Sequence, residues 1–244
     1  MIATLQWVTL AVCAGVTIAR LPSALRRENR ALFYIFALLT LAILLSIEAP
    51  YLAIDGVLGG VNVANLVLRF VIFGAIFFVG VKIAKGFGAK REYALLTGKP
   101  GMIALAVCSI AVIGTFLLMD TSGSSAGLVQ VAAKSDSNAT LVEYYGAAGR
   151  LYPSYVAAVL VPAMFGAAAR NLPWLVRVGA LLLGIGSVAI ILTLSFPWLP
   201  PALGPAEFVT NYTAILCYVV GLTLIWIAKL RTARQRSKKS FTKK

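Results

Sequence analysis

The 244-residue sequence contains no histidine. That absence removes the commonest general base, the Ser-His-Asp and Cys-His nucleophile systems, HExxH metal sites and haem ligation by imidazole. The reading therefore leans away from an enzyme. Charge is scarce as well: charged residues are 12% of the chain, against about 25% in an ordinary soluble domain. Acids are scarcest, with 8 Asp and Glu against 22 Lys and Arg. The three cysteines, Cys13, Cys108 and Cys217, sit far apart in apolar runs without a CxxC partner. Neither a disulfide framework nor a zinc site follows from them. There is no P-loop and no Rossmann glycine fingerprint, and no lysine lies within the last apolar run to carry a retinal Schiff base. The sequence implies no metal and no cofactor.

What is present is hydrocarbon. Hydrophobic residues are 60% of the chain and the mean hydropathy is +0.91. A helix that crosses a bilayer needs about 20 mostly apolar residues. Uncharged runs at 2–19, 31–47, 57–81 (interrupted by Arg69), 100–119, 151–169, 178–206 and 208–228 predict seven such helices. The expected fold is all-α, a polytopic membrane protein in which residues 1–229 form one seven-helix domain and 230–244 a basic tail. The first run lacks a basic leader and a clear cleavage site, so it reads as a retained helix and not as a signal peptide. "PWLPPALGP" (197–205) ends the sixth helix in an extended loop.

The cations give the orientation. Four lie in "RLPSALRRENR" (20–30), five between helices 3 and 4, two between helices 5 and 6, and eight from Lys229 onward, which is 19 of the 22. The opposite side holds Lys134, Arg150 and most of the acids. The sequence thus predicts an outside N-terminus and a cytoplasmic C-terminus in a bacterial plasma membrane. Lys229, Arg231, Arg234, Arg236, Lys238 and Lys239 form a tail suited to anionic lipid, since each cation near such a surface is worth about 1 kcal/mol. With one aromatic, Phe241, that tail has no stacking platform for nucleic acid. The segment 120–150 is small and polar and reads as an outer loop.

Within this oily frame one residue is out of place. Arg69 lies about 12 Å below Val61 and about 20 Å above Lys82 along a helix. An unpaired cation near mid-membrane costs at least about 2.5 kcal/mol, so a partner is expected. Asn62, Asn65 and Arg69 fall at i, i+3 and i+7, on one helical face. Glu48, about 10 Å before Asp55 if the stretch is helical, is the expected counter-ion, with Pro50 loosening the helix just beyond it. Tyr51, Asn211 and Tyr212 join the group from the outer side. The predicted polar cluster is therefore Glu48, Asp55, Asn62, Asn65, Arg69, Asn211 and Tyr212, between helices 2, 3 and 7. It serves either as interhelical glue or as the lining of an outward-facing cavity for a small polar or anionic ligand or a charge-coupled gate.

Similar phrases recur after helices 1 and 5 ("ARLPSALR", "ARNLPWLVR") and at the ends of helices 3 and 7 ("KIAKG", "WIAKL"). They suggest parallel repeats at 1–88 and 150–229 joined by helix 4, a topology similar to that of sugar-transporting SWEET proteins. The stretch from Arg20 to Gly88, with Pro50, Asp55, Gly60, Asn62, Ala64 and Leu66, resembles an actinobacterial family of seven-helix integral membrane proteins labelled as transporters. "LPWLVRVGALLLGIGSVAII" resembles that family's sixth helix. Members usually continue into a cytoplasmic domain, whereas this sequence stops at Lys244, and carry a histidine or neutral residue near the position of Arg69. The resemblance implies a small-molecule transporter or permease-like protein. The alternative is a non-catalytic accessory or regulatory subunit whose faces meet a membrane-protein partner or a second copy. A membrane enzyme using two carboxylates is the third reading.

Overall fold

A helix that is apolar around its whole circumference gains nothing from facing water on any side, and this sequence contains several. The computed structural model describes residues 2–27, 30–198 and 204–241, apart from the side chains of 2–5, 23, 198, 204–208, 211, 212, 215, 230 and 232–241. All regular structure among the described residues is helical. The order is α1 (Ile2–Leu25), α2 (Arg30–Leu44), α3 (Glu48–Val57), α4 (Val63–Gly86), α5 (Lys90–Thr97), α6 (Lys99–Leu118), α7 (Val129–Ala132), α8 (Asp136–Ala169), α9 (Trp174–Leu192) and α10 (Gly204–Phe241). Short 3-10 turns occupy Ala126–Leu128 and Thr193–Trp198. Among the described residues four helices are long and apolar enough to cross a bilayer, or five if α2 and α3 count as one bent span. The protein is an integral membrane protein.

Several elements differ from the sequence expectation. Helix α1 continues through Arg20 and Pro22 to Leu25, so much of the basic stretch 20–30 is helical. Helix 2 is not straight: α2 and α3 meet at 94° across residues 45–47. Pro50 stands in the first turn of α3, where its missing N–H costs no helical bond. The segment 136–150, expected as loop, is the first part of α8. Ser135 caps this helix, its Oγ accepting from the Asn138 amide at 3.2 Å. At 34 residues α8 is about 51 Å long, well beyond the ~30 Å hydrocarbon core. The tail expected beyond residue 229 continues α10 as helix to Phe241.

The chain divides into two compact units, residues 1–82 with 96–153, and residues 83–95 with 154–244. In the first, α1 and α2 pack antiparallel, with Thr17 and Thr40 hydroxyls 3.1 Å apart and Arg20 over the Phe36 ring. Helix α4 lies against α2 through stacked Tyr34 and Phe78 and through Gly74, which admits Leu38. On another face α4 meets α8: Asn65, Arg69 and Phe73 oppose Tyr145, Gly149 and Tyr152. The numbers rise together, so these two helices run parallel.

In the second unit α9 and α10 are antiparallel and very close. A Cβ placed on Gly179 would lie 2.8 Å from the Gly221 carbonyl oxygen, and one on Gly221 2.8 Å from that of Gly179. Ser187 of α9 shares a 2.7 Å hydrogen bond with the Tyr218 hydroxyl of α10, and its Oγ also donates to the Met164 sulfur at 3.3 Å. The polar groups of Ser187, Tyr218 and Met164 thus pair with one another between α8, α9 and α10.

Candidate functional site

The polar residues of the first unit separate into two groups with different chemistry. The first is built on Asp55, Asn62 and Tyr51, all with 0% exposure. Helix α4 begins at Val63 and leaves its first amides without helical acceptors. The Asp55 carboxylate supplies them: Oδ2 accepts from the Asn62 amide and Oδ1 from the Ala64 amide, each at 2.9 Å. The Ser124 hydroxyl donates to the same Oδ2. A carboxylate at a helix N-terminus also meets the positive end of the backbone dipole.

Asn62 stands just before α4 with φ +61°, a left-handed conformation that asparagine tolerates better than most residues. This turn points its side chain away from the line of the helix. Its Oδ1 accepts from the Tyr51 hydroxyl at 2.8 Å and the Ser125 amide at 3.0 Å. Its Nδ2 donates to the Thr121 carbonyl at 2.9 Å and the Gly123 carbonyl at 2.8 Å. All four hydrogen-bonding positions of the amide are used. This group ties α3, the start of α4 and the segment 121–125 together, and it leaves no donor or acceptor of Asn62 for a ligand.

The second group is Asn65, Arg69, Tyr145 and Gly149. The buried Tyr145 hydroxyl donates to Asn65 Oδ1 at 3.0 Å. The Arg69 guanidinium lies 5.0 Å from the Tyr145 ring centroid, in cation–π range. Gly149, one turn after Tyr145, leaves the space that the arginine fills: a Cβ there would be 2.8 Å from Nη1 and 3.0 Å from Cδ. Arg69 Nε is buried and has no hydrogen-bond partner.

The structure thus corrects the expected cluster. Glu48 is exposed on the first turn of α3, and the 94° bend removes it from the straight path that would have set it beside Arg69. An ion pair does form elsewhere, between Lys134 and Asp120 at 3.0 Å. The proposed single face of Asn62, Asn65 and Arg69 splits, because Asn62 is not helical. Asp55, Asn62 and Tyr51 come together, and so do Asn65 and Arg69. The side chains of Asn211, Tyr212, Arg234, Arg236, Lys238 and Lys239 lie outside the described residues, while Lys229 and Arg231 are exposed. Sequence reasoning missed Tyr145, Gly149 and Ser124. The repeat 145, 149, 152 opposite 65, 69, 73 carried the signal, hidden in a segment too polar to read as a span.

Beyond the end of α6 a third, exposed group orders the turn. Asp120 accepts from the Ser122 hydroxyl at 2.7 Å and pairs with Lys134, and these contacts hold its carboxyl down at about 2. No protein family, curated protein or solved structure matches the chain.

Proposed function

We propose that the protein is a permease-like transporter that recognises a small anion at Arg69. The observation that carries this reading is the buried Nε of Arg69, a donor without an acceptor beside a glycine. Inside a membrane-spanning bundle an ionised side chain is costly and is retained for a purpose or a partner. Among the described residues no carboxylate pairs with it, and the neighbouring Asn62 and Asp55 amide and carboxyl groups are engaged in holding the fold. The two-turn setback from the start of α4 fits a site entered from the outer half. In this reading the chain crosses a bacterial plasma membrane seven times, counting α1, bent α2–α3, α4, α6, α8, α9 and α10. Its N-terminus is outside and its basic end cytoplasmic.

Flux in proteoliposomes, measured for chloride, acetate and phosphate, tests the site. Arg69→Ala abolishes uptake of the transported anion while the protein stays folded. Arg69→Lys retains part of it, because a point charge replaces a planar fork. Gly149→Ala, which pushes the flexible arginine aside, lowers flux more than it lowers stability. Uptake unchanged in Arg69→Ala rejects the site.

The second reading is a non-catalytic subunit. It is favoured by two open grooves, of about 270 and 340 Å³, neither of which is lined by Arg69. It predicts no flux and a stoichiometric membrane-protein partner retained in mild detergent.

A further inference from the structure

The end of α4 and the start of α5 carry a feature that the Arg69 reading does not use. Helix α4 is apolar for most of its 24 residues and then ends in Lys82, Lys85 and a tight turn at Gly88, whose φ is +66°. The chain turns there, with the Ala89 amide bonded to the Ala84 carbonyl at 2.9 Å, and α5 begins at Lys90. Between these elements lies an open groove of about 270 Å³ lined by Ala84, Lys85, Gly88, Ala89, Lys90 and Tyr93. Lys85 Nζ stands 5.0 Å from the Tyr93 ring centroid, which holds one cation over an aromatic face. Lys85 and Lys90 are exposed and neither pairs with a carboxylate among the described residues. From 82 to 99 five cations face one acid, Glu92. A groove at the end of an apolar span sits at headgroup depth, where tyrosine and lysine are favoured.

We infer that this groove binds the phosphate of an anionic phospholipid, with Lys85 and Lys90 as its cationic contacts and Tyr93 positioning Lys85. The inference is independent of the Arg69 site. Charge complementarity selects the headgroup. A free phosphate shares the headgroup chemistry but lacks the chains.

The test is native mass spectrometry of the full chain in detergent, titrated with phosphatidylglycerol, phosphatidylcholine or inorganic phosphate. Phosphatidylglycerol binds the unsubstituted protein in a saturable step that phosphatidylcholine does not reproduce. Lys85→Ala with Lys90→Ala weakens that step on the order of thirtyfold, as expected for two cations at an anionic headgroup. Lys229→Ala with Arg231→Ala, which removes the same charge from α10, changes it less than about threefold. Tyr93→Phe keeps the ring and leaves binding intact. Equal losses in the two double variants would show a diffuse positive field and overturn the site. Unchanged binding in the first double variant would do the same, and so would displacement of the lipid by equimolar inorganic phosphate. Circular dichroism and thermal melting of each variant separate loss of binding from loss of fold.

Discussion

The amide of Asn62 shows how much one side chain can hold. Replacing it with alanine leaves the Tyr51 hydroxyl, the Ser125 amide and two carbonyls without partners, each an unsatisfied buried group worth about 1–3 kcal/mol. It also puts a less tolerant residue at φ +61°. Asn62→Ala should therefore cost about 3 kcal/mol or more, read as a lowered melting temperature in detergent. Asp120 makes a different prediction. Its carboxyl is held down at about 2 first by the Ser122 hydroxyl and then by Lys134, relative to an ordinary 3.8. A depressed carboxyl contributes its stabilisation above the ordinary value and loses it as pH falls through about 2. A carbon NMR titration should give that low midpoint, and Ser122→Ala should raise it more than Lys134→Ala does. Asp55 and Asn62 were legible from sequence as polar residues at the entry to helix 3. Tyr51, which donates to Asn62, was legible as well. The partners on 121–125 were not, because Thr121, Gly123, Ser124 and Ser125 are small loop residues about sixty positions away.

At the level of elements, close approach between α9 and α10 depends on glycine. Alanine at Gly221 would meet the Gly179 carbonyl at 2.8 Å, a backbone atom that moves only if the helices part. Gly221→Ala should cost about 1–3 kcal/mol. Gly166 on α8 has nothing within 4 Å of a built Cβ. Gly166→Ala should be neutral or stabilising by up to about 1 kcal/mol, since helix-interior glycine is conformationally costly. Melting the two variants side by side checks both. Every apolar run in the sequence overlaps a helix, because a run of that length has one low-energy way to satisfy its backbone in hydrocarbon. The bounds were less legible. The early start of α8 escaped because its buried positions, Asn138, Tyr145, Ala148 and Gly149, are polar or small. The bend at 45–47 escaped because no proline or glycine stands there, and Pro50, which does look like a breaker, sits harmlessly in a first turn.

For the whole molecule, large apolar side chains remain exposed along most helices, among them Val12, Ile18, Ile103, Val107, Leu117, Leu216 and Trp226. In water such surface would drive aggregation; in a bilayer it meets lipid. Reporter fusions test the orientation: one inserted between Ser122 and Ser125 should be active outside the cell, and one at Lys244 inside. An inside location for both would make the number of crossings between them even and overturn this topology. The parallel run of α4 and α8 requires only that both cross in the same direction.

Composition alone determined that this chain belongs in hydrocarbon as helices, because transfer free energy sums over side chains whatever their neighbours. It also marked Arg69 as an anomaly, since a cation in an apolar run is costly wherever the run packs. Only the tertiary structure decided what meets that cation. The answer turned on which face of α8 lies against α4 and on a bend that carries Glu48 away, and both depend on contacts between residues distant in sequence.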